Sequence, residues 1–84
     1  MHYKIVYKES VYKDLKKIDK SRSLYILEKI DKDLPAAALS NPTLKGKFKD
    51  LRKLRIGDYR VIYAIVNDGI LILRIRHRKE VYEH

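Results

Sequence analysis

Hydrophobic and polar positions along the chain change period once, near the middle. Residues 3–7 alternate, with Tyr3, Ile5 and Tyr7 set against Lys4 and Val6, and Lys8 following; this predicts a short strand. Val11, Leu15 and Ile18 then recur at i, i+4 and i+7, one face of a helix with Ser10 placed as its N-cap. Ser21 interrupts, and a second helix follows with Leu24, Leu27, Ile30 and Leu34 as its buried stripe. Pro35 is expected to stop it, because the residue before a proline is pushed out of the α region. The simplest arrangement of residues 9–34 is two antiparallel helices joined by a tight turn. Residues 35–46 hold two Pro and a Gly and read as a connection, to which the Ala run could add a helical turn.

From Asp50 onward the period is two. Leu51–Ile56, Tyr59–Val66 and Ile70–His77 are rich in β-branched and aromatic residues. Gly57-Asp58 separates the first pair and Asn67-Asp68-Gly69 the second, both strong hairpin signals. The order is therefore β-α-α-β-β-β. The expected fold is α+β: an antiparallel sheet with a helical hairpin packed on one face, in a single domain over residues 1–84.

Period-two counting assigns faces. In the last strand, Leu71, Leu73, Ile75 and His77 share one parity and should meet the helices. The other carries Ile70 and Ile72, then Arg74, Arg76 and Arg78. In the first hairpin strand Leu54 and Ile56 look inward and Lys53 and Arg55 outward, while Lys45, Lys47 and Lys49 approach from the connection. The exposed face of the sheet thus becomes a basic surface floored by arginine. Of the tyrosines, Tyr3, Tyr7, Tyr12, Tyr25 and Tyr63 suit the core margin, where an amphipathic ring fits. Tyr82 follows the arginine row in a segment with little core to fill, where it can stack on a base.

Composition sharpens this picture. The 84 residues carry 20 Lys and Arg against 11 Asp and Glu, a formal net charge of +9. Residues 1–42 hold nine basic and six acidic side chains, residues 43–84 eleven and five. The first half has one Arg, Arg22, and the second has six. Arginine offers a planar fork to phosphate where lysine offers a hydrated point charge, so the phosphate chemistry belongs to the second half. With 45% hydrophobic residues the chain is no disordered basic tail. No apolar stretch is long enough to span a membrane, no secretory signal follows Met1, and there is no Cys. The expected compartment is the cytoplasm. There is no phosphate-binding glycine loop, since Gly46, Gly57 and Gly69 are far apart, and no His pair at metal spacing. Asp58 and Asp68 fit turns better than acid–base work. His77 falls on the core-facing parity, as a partly buried, hydrogen-bonded residue. An enzyme built from these parts works through cations and Tyr, and phosphoryl transfer is the candidate chemistry.

The runs Leu54-Arg55-Ile56-Gly57-Asp58-Tyr59-Arg60-Val61-Ile62-Tyr63 and His77-Arg78-Lys79-Glu80-Val81-Tyr82 resemble the RelE/ParE superfamily of bacterial and archaeal toxins. The resemblance covers nearly the whole chain and implies one of two activities. RelE-type members cleave messenger RNA in the ribosomal A site; ParE-type members inhibit DNA gyrase. Retention of the RNase residues points to a ribosome-dependent endoribonuclease that needs no metal or cofactor. Arg60 resembles the family arginine that holds the scissile phosphate. Arg78 resembles the one that stabilises the transition state or protonates the leaving oxygen. Tyr82 resembles the terminal Tyr that stacks on the base. Lys53 and Arg55 match a basic pair. Lys45, Lys47, Lys49, Arg52, Arg74 and Arg76 complete the expected RNA-binding set. The chain departs from the pattern at Leu51, where some members have Lys, and at Arg76, where Gly is usual. The resemblance also implies a cognate antitoxin, beside the ribosome and messenger RNA as partners.

Overall fold

The computed structural model describes residues 4–48, 50–67 and 69–79. A strand, β1 (Lys4–Tyr7), leads into helix α1 (Glu9–Lys16) and the longer helix α2 (Lys20–Ala37). After a 3-10 turn at Gly46–Phe48 come β2 (Arg52–Ile56), β3 (Tyr59–Val66) and β4 (Gly69–His77). The element order and the α+β class are those the sequence implies. The sheet order is β1-β4-β3-β2. The sheet is mixed rather than antiparallel, since β1 runs parallel to β4, from Lys4 opposite Gly69 to Tyr7 opposite Ile72. Parallel neighbours need a long crossover, and here both helices and the β2–β3 hairpin provide it. Gly69 belongs to β4 and pairs with Val66, so the turn sits at Asn67, whose φ is 57°. A Cβ on Gly69 would lie 3.2 Å from the Lys4 carbonyl, so glycine is what lets β1 dock there.

The helices differ from expectation in three respects. Ser10 is not the N-cap of α1; Lys8 occupies that position with extended backbone and gives no side-chain cap. The Ser10 hydroxyl donates instead to the Leu73 carbonyl at 2.7 Å. The cap of α2 is Asp19, whose carboxylate accepts from the Arg22 N–H and the Ser21 hydroxyl. Its buried stripe is Ile26, Ile30 and Leu34, continued by Ala38, while Leu24 is 57% exposed. The Ser23 hydroxyl, bonded to the Leu15 and Ile18 carbonyls, turns the helix so that these residues face the sheet. Finally, α2 runs through Pro35 to Ala37. Pro35 gives up one rung of the helical ladder, and burial of Leu34 and Ala38 on either side holds that turn in place.

The core lies between the helices and one face of the sheet. Val11, Ile26, Ile30 and Leu34 pack on Ile56, Val61, Tyr63, Ile70, Ile72 and Ile75. Tyr63 is fully buried; its hydroxyl donates to the Ala38 carbonyl at 2.8 Å and accepts from Asn41 Nδ2 at 3.1 Å. Burial holds its pKa above the usual tyrosine value, with the Asn41 amide pulling the other way. Tyr7 is half-buried, and burial followed by the charge of Asp31 pushes its pKa up to about 12. Tyr12 and Tyr25 are exposed rather than at the core margin, and Tyr3 lies outside the described residues. Among the described residues no helix is long and apolar enough to cross a membrane.

The face assignment of β4 is corrected by one residue. Ile70 and Ile72 are in the core at 1% and 0% exposure, whereas Leu71 and Leu73 are only half-buried. Ile62 pairs with Arg74 but Tyr63 pairs with Ile72, so Leu73 is an extra residue in β4. This bulge resets the alternation. Before it, even-numbered positions face the helices; after it, Ile75 and His77 do. Leucine and isoleucine fill both parities between 70 and 73, so counting by twos had no polar marker to reveal the slip.

Candidate nucleic-acid interface

Residues directly opposite in a sheet share a face, so the register assembles the far side of the sheet strand by strand. Arg55 pairs with Arg60 and Arg60 with Arg76, which sets three arginines in one row across β2, β3 and β4. The next row is Lys53, Ile62 and Arg74. Beyond it the face turns apolar: Ala64 pairs with Leu71, and Leu71 with Val6. The basic half therefore adjoins the Gly57-Asp58 hairpin turn. The sequence placed the arginines along β4; the register adds a row running across the strands, which only pairing could reveal.

Like charges directly opposite one another repel, so this register is not one that packing alone favours. Arg60 and Arg76 are half-buried, and the Nε of Arg60 is shielded from solvent. Arg78 lies past the end of β4. Its N–H donates to the Asp58 carbonyl at 2.7 Å, and its guanidinium stands 3.8 Å from the Asp58 carboxylate. Both side chains are about 60% exposed, and an exposed pair of this kind contributes ~0–1 kcal/mol. Its structural effect is to hold Arg78 beside the hairpin turn, at the same end of the sheet as Arg60.

Two expected contributors are committed elsewhere. Arg52 falls on the helix-facing side, opposite Tyr63, and its Nη1 donates to the Leu39 and Asn41 carbonyls at 3.2 and 2.7 Å. It closes the end of α2 and is not part of the basic face. Arg74 is on that face but forms a forked pair with Asp14, Nε to Oδ2 and Nη2 to Oδ1, both at 2.9 Å. Asp14 also accepts from the Ile75 N–H at 2.9 Å. Burial alone would raise its pKa; the hydrogen bonds from Arg74 and Ile75 outweigh that and hold the carboxyl below the ordinary range. Asp14 sits at i+3 from Val11, inside the apolar stripe of α1, a placement that marks a carboxylate with a buried partner.

Lys45 and Lys47 are exposed in the connection, which joins β2 at its Arg52 end through the Thr43 bridge, away from the hairpin turn. Lys47 lies over the Phe48 ring at 5.6 Å. Lys49 and Tyr82 lie outside the described residues. His77 is on the helix side, edge-on to Tyr59 with ring centroids 5.1 Å apart, and its Nδ1 accepts from the Lys79 N–H. It lines a cavity of about 230 Å³ with Asp14, Lys17, Ile18, Tyr59 and Ile75, on the opposite side of the sheet from the arginine row. Of the expected site residues the fold thus brings together Lys53, Arg55, Arg60, Arg76 and Arg78.

A family model described as the ParE toxin of type II toxin–antitoxin systems matches residues 5–82. The chain belongs to this toxin family. The toxin is also similar over its whole fold to solved members of the RelE/ParE superfamily. It is 25% identical to a chain of the RelBE2 toxin–antitoxin complex of Mycobacterium tuberculosis, with a TM-score of 0.85 over 93% of this chain and 100% of that one. It is 27% identical to a conserved hypothetical protein of Helicobacter pylori, with a TM-score of 0.74 over 98% and 100%. A chromosomal ParDE system of Pseudomonas aeruginosa matches at 18% identity and a TM-score of 0.69 over 90% and 96%, a likeness of fold alone. No curated protein matches the toxin's sequence.

Proposed function

We propose that the toxin is a ribosome-dependent endoribonuclease that cleaves messenger RNA and is neutralised by a cognate antitoxin. The observation that carries this reading is the arginine row, Arg55, Arg60 and Arg76 in direct cross-strand register, with Arg78 at its end. A basic surface concentrates a polyanion, and fixed cations stabilise the extra charge of a phosphorane-like transition state. The RNA 2′-hydroxyl attacks its own phosphorus, the P–O5′ bond breaks, and a cyclic phosphate and a free 5′-hydroxyl result. One proton leaves the 2′-oxygen and one reaches the 5′-oxygen. Arg60 holds the phosphate, and Arg78 neutralises charge at the leaving oxygen. Tyr82 stacks on the adjacent base. The nucleophile belongs to the substrate, so positioning supplies much of the rate, and the ribosome orders the message for so small an enzyme. The reaction runs in the cytoplasm, where translating ribosomes are.

An antitoxin partner is supported by the superfamily relatives solved as toxin–antitoxin complexes, among them RelBE2 of Mycobacterium tuberculosis and RelB–RelE of Methanococcus jannaschii. A flexible acidic chain suits a +9 surface of this size, covering the arginine row or displacing the segment that carries Tyr82.

A second reading is inhibition of DNA gyrase without catalysis, and the ParE description of the matching family favours it. Cell-free translation separates the two. The RNase reading expects ribosome-bound message cut by the wild type and left whole by Arg60→Ala and Arg78→Ala. Intact message together with loss of gyrase supercoiling would establish the second.

A further inference from the structure

The outer edge of β2 carries a feature that the arginine row leaves unexplained. The chain around Pro42 runs beside this edge: Thr43 bridges Arg52, and the Lys53 N–H donates to the Pro42 carbonyl at 3.2 Å. Past Lys53 that cover ends among the described residues, and a groove of about 450 Å³ opens, lined by Asn41, Pro42, Lys53, Leu54 and Arg55. Pro42 and Leu54 offer it apolar walls, Lys53 and Arg55 offer cations, and Asn41 offers an amide. Strand alternation sends the Arg55 N–H in the same direction as that of Lys53, away from β3 and toward the open edge.

The Asn41 amide has one orientation. The Tyr63 hydroxyl gives its proton to the Ala38 carbonyl, so it can only accept from Asn41, and Nδ2 is the atom that donates to it. Oδ1 is left as the acceptor of that side chain. Arg55 belongs to both surfaces, since it faces Arg60 across the register and also lines the groove. Neighbouring strands lie about 5 Å apart, so the groove begins roughly one nucleotide's reach from the phosphate position over Arg60.

We infer that this groove is a base subsite for the nucleotide next to the phosphate on the arginine row, with Asn41 Oδ1 selecting a base that bears an exocyclic amine. Single-stranded RNA is read in this manner, by apolar contact on the base plane and hydrogen bonds at its Watson–Crick edge. The inference rests on the RNA reading of the arginine row. It assigns a specificity-determining role to Asn41 and Pro42, which lie outside the basic set.

The test is an amide NMR titration of the full chain with two tetranucleotides, 2′-O-methylated tetracytidylate and tetrauridylate, which their own 2′-hydroxyls cannot cut. Cytosine presents an amine where uracil presents a carbonyl. The expected result is that Leu54, Arg55 and the Asn41 side-chain amide shift and saturate together with Arg60 and Arg76. Cytidylate should bind roughly tenfold tighter than uridylate, and Asn41→Ala, shown to be folded by its own spectrum, should abolish that preference. Equal affinity of the wild type for the two, or shifts confined to the arginine row, overturns the subsite and leaves the RNA reading standing. Absence of any shift while message is still cut in translation also overturns the subsite alone. Absence of any shift with message intact overturns both.

Discussion

The two halves of β4 are built differently. From Gly69 to Ile72 the strand is paired on both sides, by β1 and by β3, and Ile70 and Ile72 fill the core. β1 ends at Tyr7, and the Lys8 N–H makes the last backbone contact, to the Ile72 carbonyl. From Leu73 to His77 the edge is covered by a helix instead. Ser10 satisfies the Leu73 carbonyl and Asp14 the Ile75 N–H, so two side chains of α1 take over where a strand stops. The bulge falls at the junction, and the arginines lie on the helix-held half. A ladder fixes backbone and leaves both faces to the alternation. The latch holds the edge of β4 where β1 stops, while the β3 ladder continues through both halves and sets Arg76 opposite Arg60. The half of the strand flanked by two strands holds no charged residue, and the half that α1 covers carries its arginines.

The largest effect expected is on activity in the second half. Arg60→Ala should lower message cleavage by about 10²–10³, the scale for removing one group aimed at developing charge, read from the rate of message loss in cell-free translation. Asp14→Ala breaks the latch: it removes the acceptor of the Ile75 N–H and the carboxylate that the Arg74 fork grips. It should cost about 3 kcal/mol in urea unfolding, the low end for a broken buried pair because Arg74 is partly exposed. The same carboxylate sets a pH dependence. Its pKa is lower in the folded state than in the unfolded chain, so its contribution is complete above about pH 4 and fades as pH falls through the depressed value. Asp14→Asn should flatten that acid limb of stability relative to wild type.

Tyr63→Phe, in the ladder-held region, should cost about 1 kcal/mol in urea unfolding by leaving the Ala38 carbonyl and the Asn41 amide without their buried partner. The smallest effect concerns Arg74. Arg74→Met should leave the salt slope of oligonucleotide binding unchanged, because its guanidinium is already forked on Asp14. A slope reduced by about 1 would mean that the latch does not withdraw Arg74 from the surface.

Much of this was legible in the residues, and what was not has a physical cause. The period change near Asp50 and the Gly57-Asp58 turn located β2 and β3 to within a residue. The outward position of Lys53 and Arg55 also followed from alternation. The parity of Ile70–Leu73 did not, because a bulge in an all-apolar stretch leaves no polar residue out of step. Pro35 did not end α2, because burial of Leu34 and Ala38 outweighed a local backbone preference. Ser10 looked like a cap because capping is local, whereas its partner, Leu73, is far along the chain. The cross-strand arginine row was hidden for the same reason: register joins residues that no sequence window contains together. Arg52 could not be told from Arg55 by charge, and only their opposite faces separate a structural arginine from a surface one.

The central claim is that the arginine row acts on RNA. Primer-extension mapping of a defined message in a cell-free translation reaction tests it most directly, comparing wild type with Arg60→Ala at equal folded concentration. The wild type should cut within translated codons, and the variant should give no cuts above background. Intact message with the wild type, or undiminished cutting with Arg60→Ala, would contradict it.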